Sequence, residues 1–419
     1  MNEMQIRKRN FFALIIEGTF FFTGLAFIDV NSVIPVFIFT YTHSLKLAGL
    51  ATTINLAASI VTQTLVGPYV KSIHHMPAYI SRIMLIFRPL PLLMVPVLFS
   101  GLSPMIIVVI FLVIYTLLFS GDGLILVPWT DLFGRTILPE NRGKVLGLQQ
   151  LFGGFGGLAA GFIIKSVLEN TGITDATRYS IIFGCSALSF IVSSAAMLLT
   201  HDLPRRIEAK PTRNWHYYAG LPAYLKKNKD FRRLAAIRVL SSFTSMIAPF
   251  LILFGQGIFR LDVSQVSTLI YIQIAGGLLG GVLWGFISSR FGNKQVIFLS
   301  QLIGLAIPVG ALICFLGGGL TIPWYLLWPL ILANGANMGS WVGMLNYTID
   351  IVEEEERTVY LLLSGMITFP LTGLAFLAGI LADLTGFVPL FIISGLTAIL
   401  GITLARGLKS PRQLAEPRQ

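Results

Sequence analysis

The sequence predicts an all-α polytopic membrane protein with twelve transmembrane helices in two six-helix halves. Three observations lead there. Of 419 residues, 55% are hydrophobic and 12% charged, against about 45–50% and about 25% in soluble domains. Apolar runs of about 20 residues, enough to cross a hydrocarbon core of ~30 Å, recur along the chain. The basic residues are sorted by loop rather than spread evenly. In water, a chain of this length would form two or three domains, but such domains could not cover so much apolar surface. The same composition, with a mean hydropathy of +0.79, excludes a disordered chain, a coiled coil and a nucleic-acid module.

The spans are predicted near 11–39, 46–68, 79–100, 104–130, 144–168, 179–200, 235–258, 265–288, 294–316, 322–348, 358–382 and 386–405. Arg7, Lys8 and Arg9 precede the first. Its apolar run is too long for a signal-peptide core, and no small-residue cleavage site follows. Several spans are long, which predicts tilt or kinks. Pro35, Pro89, Pro91, Pro128, Pro249 and Pro370 lie within or near span ends, where neighbouring helices satisfy the freed carbonyls. The runs are continuous rather than alternating, so β-barrel strands are excluded.

Counting loops from a cytoplasmic N-terminus puts 25 of the 30 Lys and Arg residues inside and four outside, with Arg88 left within a span. This bias predicts an integral protein of the cytoplasmic (inner) membrane with both termini cytoplasmic. The net charge of +11 then faces anionic inner-leaflet lipid and needs no nucleic acid.

The longest polar stretch, about 201–234, divides the chain into an N-terminal bundle (1–200), a cytoplasmic central loop (201–234) and a C-terminal bundle with a short cytoplasmic tail (235–419). The end of that stretch reads either as a short amphipathic surface segment or as a solvated linker. The halves repeat. Gly67 leaves span 2, and Gly285 leaves span 8, 218 residues later. Asp131 to Arg142 follows span 4, and Asp350 to Arg357 follows span 10, with the two arginines 215 apart. Two parallel six-helix halves suit a secondary transporter.

The stretch Gly285-Phe-Ile-Ser-Ser-Arg290-Phe-Gly292-Asn-Lys294 resembles the loop signature G-x-x-x-D-R-x-G-R-[KR] of the major facilitator superfamily. Gly285, Arg290, Gly292 and Lys294 match, and Ser289 stands at the acidic position. The corresponding first-half loop keeps only Gly67. The loop Asp131-Leu-Phe-Gly134-Arg135 through Arg142-Gly143 is similar to the family's loop after span 4. The resemblance implies the superfamily fold and a bacterial transporter of unassigned substrate. These residues then form gating loops, in which a Gly lets helices approach and an Arg caps or pairs with a helix end. Asp131 is the expected partner of Arg142. Span 1 lines the central cavity in this family.

An ionisable residue at membrane depth costs roughly 2.5–3.5 kcal/mol on insertion scales and is a functional candidate. Glu17 and Asp29 lie in span 1, twelve residues apart, and so about 120° apart around a helix. Asp29, Glu17 and Asp122 are the proton-coupling candidates. Asp29 is favoured, because Asn31, Ser32 and Pro35 follow it, with a helix cap as its plain structural alternative. Arg88 in span 3 and Asp122 in span 4 are expected to pair, with Gln63 able to join them. Arg238 begins span 7 and reads as a snorkelling cation.

The second half has no deep acid. Its polar candidates for a substrate pathway are Tyr271 and Gln273 on span 8 and Asn334, Asn337 and Trp341 on span 10, the last three on one helical face. Interhelical packing is the alternative for these groups. Span 5 carries Gly147, Gly153, Gly154, Gly156, Gly157 and Gly161, which permit close packing. It is similar to the glycine-rich span of drug–proton antiporters, although no Pro follows and span 4 lacks the expected Arg. Cys185 and Cys314 lie in separate apolar runs, and the five His have no metal spacing. No metal and no cofactor are expected, and no P-loop indicates an ATP-driven pump. The run Glu353–Glu356 reads as a solvated loop.

Together these features predict a secondary active transporter working by alternating access, coupled to H⁺. It takes a small-molecule substrate, sits among membrane lipids and acts as a monomer. Carboxylates in one half and an aromatic in the other suit export of an amphipathic or cationic solute. The alternative is an uptake carrier or uniporter for a sugar, polyol or nutrient. A transporter-like sensor and a polytopic membrane enzyme are remote, the latter for want of an acid–base pair in the loops.

Overall fold

The computed structural model of the chain describes residues 2–203, 224–225, 227–317, 323–352 and 356–409. Most of the central loop, Glu353–Glu355 and the residues after Lys409 lie outside them. The chain forms two compact units. One comprises Met1–His43 and Ile54–Arg213, the other Ser44–Thr53 and Asn214–Gln419.

Among the described residues, eleven helices are long and apolar enough to cross a membrane. The tenth predicted span, near 322–348, is the one missing from these eleven; it is present but broken. In unit 1 the helices are α1 (Glu3–Phe27), α2 (Val33–Thr42), α3 (Leu45–Val66, its first turns in unit 2), α4 (Met76–Phe87), α5 (Met94–Leu98), α6 (Pro104–Thr136), α7 (Pro139–Glu169) and α8 (Asp175–Met197). In unit 2 they are α9 (Lys229–Ser245), α10 (Leu251–Phe259), α11 (Val263–Phe291), α12 (Asn293–Leu316), α13 (Leu327–Asn337), α14 (Trp341–Asp350), α15 (Arg357–Thr368), α16 (Leu374–Thr385) and α17 (Val388–Arg406).

The starts of these helices follow from sequence. Asn2 and Gln5 form a reciprocal capping box on α1, and Asp262 and Gln265 do the same on α11. Asn228 accepts from the backbone N–H groups of Asp230 and Phe231 at the start of α9. Each such cap satisfies donors that have no partner within the helix. The start of α3 is capped from a distance. Asp383, near the end of α16, accepts from the N–H of Leu45 at 3.1 Å and of Lys46 at 3.0 Å.

The predicted kinks are breaks. Short 3₁₀ turns interrupt the spans at 90–93, 248–250, 338–340 and 369–373. Three of the four coincide with Pro91, Pro249 and Pro370, which remove a helical donor and clash with the preceding turn. The remaining one has Gly339 at its centre. Pro128 and Pro308 sit inside α6 and α12 without a break.

Glycine makes the tightest packing, at positions other than the loop glycines. In unit 2 an added Cβ on Gly276 or Gly280 of α11 would meet the α13 backbone at Leu332 or Ala336, and one on Gly335 would meet that of Gln273. In unit 1, Gly153 and Gly156 of α7 lie against Phe22 and Thr23 of α1, as the glycine-rich span predicts. Gly67 and Gly285 have nothing within 4 Å of an added Cβ. The expectation that these two admit a close helix is therefore corrected. Gly280→Val should lower the thermal midpoint of purified protein, since overpacking costs about 1–3 kcal/mol. Gly285→Ala should leave the midpoint unchanged or slightly higher, because Ala is the better helix former.

Candidate functional site

Four helices of unit 1 converge on a buried charged cluster. Arg88 is the residue that ends α4, just before Pro89 and the break, so its side chain leaves the helix where the chain turns. Its Nη1 donates to Glu17 Oε1 of α1 at 2.9 Å and to Ser193 Oγ of α8 at 2.6 Å. Its Nε donates to Asp122 Oδ1 of α6 at 3.3 Å. The guanidinium carbon lies 4.5 Å from the centre of the Phe21 ring. Trp129 Nε1 donates to Glu17 Oε2 at 3.2 Å, and Ser193 Oγ donates to the Glu17 carbonyl at 2.8 Å. Glu17 and Arg88 are each only 3% exposed.

Both Glu17 oxygens are therefore engaged. Asp122 differs, because its Oδ2 is buried and has no hydrogen-bond partner. The glycines flanking Asp122 let neighbours approach. Phe87 packs on Gly121, and Ser59 and Thr62 of α3 pack on Gly123. The predicted Arg88–Asp122 pair is thus present, and the structure adds Glu17 to it. Gln63 makes no hydrogen bond to any of the three.

Asp29 stands apart, in the break between α1 and α2. Its Oδ1 accepts from the Asn31 N–H at 3.1 Å and from Ser32 Oγ at 2.6 Å, and its carbonyl accepts from the Ile34 N–H at 3.1 Å. That is the work of a local helix cap.

In unit 2 the neutral candidates divide. Asn334 Nδ2 of α13 donates to Gln273 Oε1 of α11 at 3.3 Å and to the Ala248 carbonyl at 3.4 Å. Both side chains are buried, so they bond the helices to each other. Asn337 Oδ1 is buried without a partner, while Trp341 is 60% exposed. The 3₁₀ turn at 338–340 advances each residue about 120° rather than about 100°, which shifts Trp341 by about 60° around the axis relative to an unbroken helix. Tyr271 is half-buried.

Residues 234–419 match the sequence profile of the Major Facilitator Superfamily. No curated protein matches the chain by sequence. Solved structures align over nearly its whole length. A D-xylose–proton symporter aligns with a TM-score of 0.72 at 12% identity, covering 98% of this chain and 100% of its own. A bacterial homologue of the iron transporter ferroportin, inward-facing, aligns at 0.68 and 13%, covering 99% and 100%. The nucleoside transporter NupG aligns at 0.64 and 14%, covering all of both chains. The chain has the major facilitator superfamily fold.

Within that fold the loop residues have definite contacts. Arg142 donates to the carbonyls of Gly134 and Ile137, capping the end of α6. Asp131 pairs with Arg135 at 3.1 Å, and Arg135 also reaches Asp202 at 2.6 Å. Arg142 thus acts on carbonyls, and the carboxylate expected to hold it is paired with Arg135. In unit 2, Arg290 lies over the rings of Phe286 and Phe291 at 5.8 and 5.7 Å, and Ser289 bonds back to the Phe286 carbonyl. Gly292 turns α11 into α12 with φ 88°, a backbone that favours glycine. Asn293, beside Lys294, donates to Asp350 Oδ2 at 2.7 Å. Arg357 opens α15, and its side chain lies outside the described residues. Ser193, Trp129 and Asp383 escaped sequence reasoning, since a lone Ser or Trp in an apolar run carries no positional signal.

Arg88→Leu removes the single cation from between two buried carboxylates. It should cost about 3–5 kcal/mol, because each uncompensated buried charge is expensive. Monodispersity and thermal unfolding of purified protein would read the loss. Adding Glu17→Gln and Asp122→Asn to the same chain should restore most of it.

Proposed function

We propose that the chain is a secondary active transporter of the cytoplasmic membrane, with both termini inside. It moves a small solute by alternating access and couples that movement to protons. The carrying observation is the charge of the Glu17–Arg88–Asp122 cluster. Two carboxylates share one guanidinium in an apolar interior, so the fully ionised cluster carries one surplus negative charge. One proton neutralises it. Asp122 Oδ2 is the cluster oxygen left without a partner, which makes Asp122 the residue that takes the proton. Glu17, with both oxygens bonded, stays the fixed counter-charge of Arg88. Asp29 keeps its capping role.

The fold, shared with sugar, nucleoside and iron transporters, supports carriage of solute, and its bundles support rocking between two states. The cluster speaks against a cationic cargo at Glu17, because no oxygen of that side chain is left to receive one. It leaves Asp122 free to exchange a proton as the site's access changes.

The test is reconstitution into liposomes with a trapped pH dye, screened against sugars, nucleosides, organic acids and organic cations. Solute-dependent proton movement is expected, and its sign separates import from export. Asp122→Asn should abolish proton movement while leaving solute exchange and the folded state intact. Unchanged pH-driven flux in that variant rejects the assignment. Solute movement without any proton movement in the parent chain identifies a uniporter instead.

A further inference from the structure

Among the described residues, unit 2 holds a cation with no carboxylate partner. Arg238 is the charged side chain of unit 2 that lies within the apolar run near 235–258, past the charged first turn with Lys229, Asp230, Arg232 and Arg233. It is nine residues into the Lys229–Phe259 span, or about 14 Å from its start at ~1.5 Å per residue. Its Nε is buried without a hydrogen-bond partner. Among the described residues Nη1 and Nη2 make no hydrogen bond and no carboxylate pairs with the guanidinium, and Arg238 as a whole is partly exposed.

Snorkelling does not account for this arrangement. A snorkelling arginine carries its whole head to water, whereas here one edge of the guanidinium is withheld from solvent with its donor unmet. Leaving a buried donor unmet costs free energy, more so for a charged group. The rest of the face is also polar. Ser241, Ser242 and Ser245 follow at i+3, i+4 and i+7, the positions that share one side of a helix, and Ser245 is exposed. Ser242 Oγ donates to the Arg238 carbonyl at 3.0 Å, and Ser241 receives a bond from Gln301 of α12 at 2.9 Å. Beside these hydroxyls the guanidinium is the charged group left to make a new contact.

We infer that Arg238 binds an oxyanion, a carboxylate or phosphate carried by the transported solute. A guanidinium presents its N–H groups as a fork that matches two oxygens of such a group. This rests on the reading of the chain as a carrier and specifies its substrate class: a solute with a negatively charged end, not a cation.

The experiment is binding to the full chain in phosphatidylcholine nanodiscs, read by calorimetry, with no proton gradient. The probes are inorganic phosphate, succinate and benzoate, with xylose and uridine as uncharged controls. At least one anion should bind. Arg238→Gln should weaken it tenfold or more, and Arg238→Lys should restore only part, because an ammonium keeps the charge but not the fork. As a second reading on the unmodified chain, the bound anion should slow phenylglyoxal modification of Arg238, followed by mass spectrometry. Three results overturn the inference: binding of uncharged solutes alone, anion binding that Arg238→Gln leaves unchanged, or protection by phosphatidylglycerol with none from a soluble anion. Anion binding at Arg238 without proton movement in liposomes would instead reject proton coupling and leave this inference standing.

Discussion

One guanidinium shared by two carboxylates governs unit 1. Arg88 sits where an apolar helix breaks before Pro89, and three other helices bring their few polar side chains to it. Each element of that meeting has a physical cause. Arg88 keeps helical backbone angles as the residue before Pro89 and the 3₁₀ turn, and Gly121 and Gly123 clear the way on either side of Asp122. Ser193 fills the remaining space with a hydroxyl that bonds both the cation and the backbone of α1. An ion cluster in an apolar interior is tolerated only when nearly every donor and acceptor is satisfied. Among the oxygens of this cluster only Asp122 Oδ2 fails that condition, which marks where a proton can come and go, and Nη2 of Arg88 makes no hydrogen bond beside the Phe21 ring.

The helix breaks belong to the same logic. A span interrupted by a 3₁₀ turn exposes backbone carbonyls and amides that must find other partners. Asp29 supplies them between α1 and α2, where its side-chain and carbonyl oxygens hold four donors within the next five residues. At 338–340 the same kind of interruption shifts the register between Asn334 and Trp341, while Asn334 bonds Gln273. Polar residues in these spans therefore divide by neighbourhood. Asp29 and Asn334 have their polar atoms engaged by the fold, whereas Asp122 keeps an unmet oxygen.

The spans, the two repeating halves and the Arg88–Asp122 pair were legible in the sequence, because length, charge placement and sequence proximity through one short turn determine them. The kinks were legible wherever proline caused them. Glu17 was visible as a candidate but not as a member of the cluster, since its approach depends on how α1 packs against α4 and α6. Asp29 looked the better functional acid because of the polar residues after it, and those residues turned out to be the ones it caps. Asp383 gave no sign, because its partners are backbone amides 337 and 338 positions away. The loop glycines misled because a motif states which residue is present but not what lies against it, and nothing does.

The contrast between the units carries the last step. Unit 1 gathers Glu17, Arg88 and Asp122 into a cluster whose members largely satisfy one another, so it has little attraction to offer a charged solute and much to gain from a single proton. Unit 2 bonds Asn334 to Gln273 and, among the described residues, leaves the Arg238 guanidinium without a counter-charge. A group that is costly to bury and unpaired persists only if something else compensates it during function. A proton suffices in the first case, since the deficit is a single positive charge at one oxygen. In the second the deficit is negative charge beside a planar fork, and an oxyanion is the chemistry that meets both its sign and its shape. The two units thus pose complementary electrostatic demands, which a proton and an anionic solute together would satisfy.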